Sequence, residues 1–157
     1  MDTPKTSRRE FCTHAISLVT VASLIEGCGG GSGGGNPNAP GGGTSAPSLP
    51  QVAGTAVAGG VTVSVAGTAL ATSGNAALVQ SGQQAFLVQR AGDAFTAFTG
   101  ICPHEQCVIT GFQSGTFVCP CHGSQFNSSG RVQAGPATRD LRQFTTQFTN
   151  NVLTITT

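Results

Sequence analysis

Cys102-Pro103-His104-Glu105-Gln106-Cys107 and Cys119-Pro120-Cys121-His122-Gly123-Ser124 are the two stretches on which the reading of this chain turns. Beyond residue 28 the sequence holds four cysteines and two histidines, and all six lie in these two segments. Such a gathering reads as a metal site or a disulfide knot, and the imidazoles favour metal. Cys-x-His, a gap of fourteen residues, and Cys-x-x-His offer two thiolates and two imidazoles from two loops. A zinc ion would accept four such ligands in a closed tetrahedron, although six candidates exceed what one zinc needs. Two disulfides with idle histidines is a third arrangement.

Outward from these loops the pattern is β. Val61-Thr62-Val63-Ser64-Val65 alternates with period two, as a half-buried strand does. Ala77–Gln80, a turn at Ser81-Gly82 and Ala85–Gln89 predict a hairpin. Ala91-Gly92-Asp93 marks a further turn before Phe95–Phe98. Phe144–Phe148, Asn150-Asn151 and Val152–Thr156 predict a last hairpin. No helical period follows residue 28, and no repeat is present. These signals predict an all-β domain over 51–157, either two small sheets or a partly open barrel. Its apolar side chains are few, so a cluster and a disulfide would each serve as a staple.

The ligand spacing, the Pro120–Ser124 run and Gly135-Pro136-Ala137 together resemble the Rieske family, from about Val61 to Thr157 and most specifically over 102–126. The resemblance implies small antiparallel sheets, or a partly open barrel, carrying a cluster-binding subdomain of two loops. It implies one 2Fe-2S cluster, with Cys102 and Cys119 on the buried iron and His104 and His122 on the outer iron. It further implies a Cys107–Cys121 disulfide between the loops, a feature of quinol-oxidising and several solitary exported members that oxygenase-type domains lack. Ser124 falls where the family places a hydroxyl donating to a bridging sulfide. Phe126 stands where high-potential members carry a tyrosine donor, and Glu105 where quinol-oxidising subunits are apolar. A missing donor and an added negative neighbour both lower a reduction potential. Phe126 as plain core and Glu105 as a solvated loop charge are the simpler readings. Gly123 and Gly135 are expected to supply backbone freedom, and Pro136 to stiffen the loop over the cluster. Arg131, Arg139 and Arg142 read as solvated surface.

The N-terminal part reads as export and tether. Lys5, Arg8 and Arg9 precede the mostly apolar run Phe11–Ile25, so residues 1–28 form a signal. Fifteen residues is short for a membrane span, which needs roughly 20. Ser7-Arg8-Arg9-Glu10-Phe11 resembles the twin-arginine motif, with Cys12 and Thr13 where Leu and Lys are usual; an ordinary secretory signal is the alternative. Leu24–Gly29 resembles a lipoprotein box with Glu26 out of character, which makes Cys28 a candidate for lipidation or else a thiol lost with the signal. Residues 29–50 are rich in Gly, Ser, Pro and Asn and read as a flexible linker. Its 22 residues would span about 25 Å as a coil.

Net charge is +1 and 8% of residues are charged, so the basic footprint of a nucleic-acid binder is missing. The function expected is one-electron transfer by an exported protein on the periplasmic or outer face of the bacterial cytoplasmic membrane, held there by a lipid or signal anchor. Its partner would be a cytochrome or an oxidoreductase subunit. The alternative is the iron-sulfur subunit of a larger enzyme, of the quinol–cytochrome c oxidoreductase or molybdenum oxidase type. An oxygenase would need a mononuclear iron on further histidines, and none remains.

Overall fold

A computed structural model describes residues 46–157; the signal-like segment with Arg8, Arg9 and Cys28, and most of the linker, lie outside the described residues. Among the described residues there are twelve strands: β1 (Gln51–Ala53), β2 (Thr55–Val57), β3 (Gly60–Ser64), β4 (Ala76–Ser81), β5 (Gln84–Ala91), β6 (Ala94–Thr99), β7 (Gly111–Gln113), β8 (Thr116–Val118), β9 (Gln125–Phe126), β10 (Val132–Ala134), β11 (Gln143–Thr149) and β12 (Val152–Thr156). Among the described residues the only helical element is a 3-10 turn at Ala69–Ala71. All-β is therefore the class, as the alternation required.

Eight strands form one sheet in the order β1-β4-β5-β6-β11-β12-β3-β2. The sheet nearly closes on itself, because β1 pairs with β4 while β2, one residue further on, pairs with β3. Gly54 is the pivot between them. A side chain there would meet Val61 Cγ1 at 2.5 Å and Val79 Cγ1 at 3.1 Å, so only a residue without Cβ lets the chain cross this seam.

The turns follow their residues. Gly82, at φ +59°, closes the β4–β5 hairpin, and Gly92, at φ +64°, closes β5–β6. Asn150 and Asn151, at φ +50° and +61°, form the two-residue turn between β11 and β12 whose left-handed backbone asparagine tolerates.

The second sheet, β10-β9-β8-β7, is an antiparallel meander inserted between β6 and β11. The insertion leaves and re-enters at adjoining points, where Phe98 pairs with Gln143 and Thr99 N–H donates to Arg142 C=O. Strands β4, β5 and β6 carry both cores by alternation. Ala77, Val79, Phe86, Val88, Phe95 and Ala97 fill the barrel with Val61, Val63, Leu153 and Ile155. Ala76, Leu78, Leu87 and Phe98 face the other way, against Cys102, Ile109, Phe117, Cys119 and Phe126. The continuous apolar runs of β4 and β5 are thus explained by burial on two faces.

Residues 47–50, expected to be the end of the linker, are instead part of the fold. Pro47 C=O accepts from Phe112 N–H, Leu49 N–H donates to Thr110 C=O, and Ser48 bridges Gly111. Leu49 is buried in the cluster-side core, and Pro50 C=O accepts from Leu78 N–H. One apolar side chain among prolines was enough to dock the segment on the free edge of β7.

Candidate metal centre

Two loops emerge from the insertion. The first runs from Cys102, just after β6, to Val108, whose bridge to Ile101 closes it. The second runs from Cys119 to Ser124, between β8 and β9. Each is folded by the same pair of backbone bonds. Cys102 N–H donates to Cys107 C=O while Gln106 N–H donates to Cys102 C=O. Likewise Cys119 N–H donates to Ser124 C=O while Gly123 N–H donates to Cys119 C=O. Such tight turns bring the side chains of four loop residues to one end of the small sheet.

Cys102 and Cys119 are free thiols, both buried in the apolar cluster-side core. Burial pushes the Cys119 thiol up, and the Cys102 side chain adds to this, while the backbone N–H groups of Cys121 and His122 pull it down. Backbone amides of this kind are the donors that a metal-bound thiolate uses. His104 and His122 stand at the surface, with side chains 31% and 46% exposed and ring centroids 5.2 Å apart. Cys107 and Cys121 are joined by a disulfide that links the two loops.

The donor set therefore divides into two buried sulfurs and two exposed imidazoles on loops locked together. That division fits a two-iron cluster with one iron inside and one at the surface better than it fits a single tetrahedral zinc, for which all four ligands converge on one point. Glu105 joins the exposed half. Its Oε1 lies 3.8 Å from His104 Nε2 and its Oε2 lies 3.5 Å from His122 Nδ1.

The remaining predicted residues are distributed around the loops. Ser124 is fully buried, and its Oγ accepts from Ala137 N–H at 3.0 Å, so its hydroxyl proton is directed elsewhere. Phe126 is fully buried in the cluster-side core, paired across to Phe117 and Val132. Gly123 takes φ +73°, as its expected backbone role requires. The Gly135–Pro136 bond is cis, and the loop after it carries Ala137 to Ser124. Arg131, Arg139 and Arg142 are exposed; Arg139 reaches Pro103 C=O at 3.5 Å and Arg142 stacks on Phe144.

Two residues at the site carried no stated role from the sequence. Gln106 takes φ +58°, and aligning the two Cys-Pro segments places it opposite Gly123, a signal that was available. Asp140 caps the edge of β10 by accepting from Val132 N–H, and nothing in the local sequence marks it.

A family profile for the Rieske [2Fe-2S] domain matches residues 62–145. The cytochrome b6-f complex iron-sulfur subunit of Prochlorococcus marinus strain MIT 9303 is 42% identical over 76 residues, 45% of this chain and 42% of the relative. The ubiquinol-cytochrome c reductase iron-sulfur subunit of Rhodobacter capsulatus is 51% identical over 45 residues, 27% of this chain and 24% of the relative. The chain thus spans less than half the length of either relative. Among solved structures, the cyanobacterial plasma-membrane Rieske protein of Synechocystis PCC 6803 is similar over 52% of this chain and 86% of its own, at 29% identity and a TM-score of 0.46.

Proposed function

The chain belongs to the Rieske [2Fe-2S] family, and from that premise we propose that it carries single electrons, with Cys102 and Cys119 holding the buried iron of the cluster and His104 and His122 the exposed one. The observation that carries this assignment is the division of the four side chains, two sulfurs buried together and two imidazoles exposed side by side. Bound there, a 2Fe-2S cluster supplies a reversible one-electron couple, in this family at about −150 to +300 mV.

The chain's own residues do the rest. The apolar wall of Ile109, Phe117 and Phe126 keeps water from the sulfurs. The amides of Cys121 and His122, and the Ser124 proton, are donors toward the negative charge that reduction adds. Glu105, beside both imidazoles, opposes that charge, and Phe126 offers no donor, so the pair sets a potential below the top of the family range.

The domain's electron partner is a redox protein, either met in passing or as a neighbour in a larger complex. Support for the second comes from the matched relatives, which are subunits of the cytochrome b6-f complex and of ubiquinol-cytochrome c reductase. Export by the twin-arginine-like segment and lipid attachment at Cys28 complete the reading, on the strength of the sequence pattern alone. The test is low-temperature EPR of the dithionite-reduced protein. An anisotropic signal of a histidine-ligated cluster is expected, and it should vanish in Cys102→Ser and change in His104→Cys. A reduced protein with zinc and no iron would sink the assignment. Copurification from native membranes separates a free carrier from a complex subunit.

A further inference from the structure

Glu105 is the one charged side chain among the described residues that touches the two imidazoles. It is 59% exposed and stands astride them, with one carboxylate oxygen 3.8 Å from His104 and the other 3.5 Å from His122. The other exposed residues of the loops, Gln106, Val108, Pro120 and Cys121, carry no charge.

Among the described residues no arginine bonds to the Glu105 carboxylate. Arg90 is occupied by the carbonyls of Leu70, Ala71 and Gly92. Arg142 lies over the Phe144 ring, and Arg139 stands nearer, its guanidinium 3.5 Å from the Pro103 carbonyl at the start of the first loop. Of the remaining acids among the described residues, Asp140 is bonded to Val132 N–H and Asp93 sits in the β5–β6 turn, at the far end of β6 from Cys102. The imidazole edge thus carries one carboxylate that no arginine among the described residues pairs.

We infer that this edge selects a redox protein whose docking rim is cationic, with Glu105 as the selecting residue. The inference rests on the reading of His104 and His122 as the electron-exchange edge. An apolar quinol pocket would strip Glu105 of water without pairing it, which is costly. A lysine or arginine on a partner's rim would pair the carboxylate at the surface and speed the encounter. Val108, 36% exposed, is the only large apolar side chain in the first loop to face solvent, so little apolar surface is offered to a pocket.

Two small oxidants of opposite charge test the sign of this field. Cluster-loaded, reduced protein is mixed with hexacyanoferrate(III), an anion, or tris(phenanthroline)cobalt(III), a cation. Each oxidant takes one electron and is left as iron(II) or cobalt(II), and the protein is left oxidised by one electron. Rates are followed from about 0.01 to 0.5 M salt, over which the Debye length falls from about 30 Å to a few Å. The native protein should react more slowly with the cation, and faster with the anion, as salt is added. In Glu105→Gln both slopes should flatten or reverse. The ratio of cation to anion rates, in which a change in the protein's own potential largely cancels, should fall about fivefold or more. Asp93→Asn removes the same charge from the far turn and should leave the ratio unchanged.

Equal slopes in native protein and Glu105→Gln, or an equal change in Asp93→Asn, would overturn the inference. Native protein that shows no cluster signal by EPR would overturn the reading beneath it instead, so the two failures are distinguishable.

Discussion

The two loops at the metal centre share a backbone and differ in how they are anchored. Counting from Cys102 and from Cys119, both have proline at the second position, a left-handed residue at the fifth and the same two hydrogen bonds across the turn. The side chains hung on that frame are permuted. The ligand histidine is third in one loop and fourth in the other, and the disulfide cysteine is sixth in one and third in the other. The second loop ends on Ser124, fully buried and bonded to Ala137. The first has the partly buried Cys107 at that sixth position, with no buried polar anchor of its own. A ligand frame can thus be used twice in one site, provided the looser copy is tied to the firmer one. The disulfide is that tie.

Breaking it should have the largest effect and an unequal one. The bridge spans 14 residues, a loop length worth about 3 kcal/mol by chain entropy. Cys107→Ala with Cys121→Ala should lower unfolding free energy by about 2–4 kcal/mol. Amide exchange should rise more at Gln106 than at Gly123, since only the second loop keeps its buried anchor. Equal loosening of both loops would mean that Ser124 holds nothing.

Removing the anchor itself comes next. Ser124→Ala leaves the Ala137 N–H without its acceptor in a buried place, at a cost of about 1–3 kcal/mol. It also takes a donor from the cluster, so the midpoint potential in protein-film voltammetry should fall. An unchanged potential would confine Ser124 to the loop. Gly123→Ala follows at about 1–2 kcal/mol, because a Cβ at φ +73° crowds the next carbonyl. Chemical denaturation measures both losses.

The same contrast shows what a sequence can and cannot carry. The strands around Val61–Val65, the β4–β5 hairpin and the β11–β12 hairpin were legible because alternation and left-handed turn residues are local properties. The six-residue Cys/His gathering was legible because those side chains do chemistry and little else. Residues 46–57 were not, since Pro, Ala, Gly and Thr have no alternation there and the pairing is dictated by the open edges of β7, β4 and β3. Strands β7 to β10, two or three residues each, are too short to show a period. The shared loop frame is a backbone property, visible in sequence only as two Cys-Pro pairs and one glycine.

That glycine supplies the smallest and most discriminating prediction. The fifth position needs a left-handed residue in both loops, yet the first fills it with Gln106 at φ +58°. A side chain there stores a penalty of about 1 kcal/mol or slightly more. Glycine would remove that penalty while adding freedom to the unfolded chain worth roughly 0.5–1 kcal/mol. Gln106→Gly should therefore be neutral or gain a few tenths of a kcal/mol, where Gly123→Ala loses. The two substitutions exchange the same pair of conformational preferences at equivalent places, so their effects on the denaturation midpoint should differ in sign or at least in size. A loss in Gln106→Gly as large as that in Gly123→Ala would show that the glutamine side chain, rather than the backbone frame, holds the first loop in place.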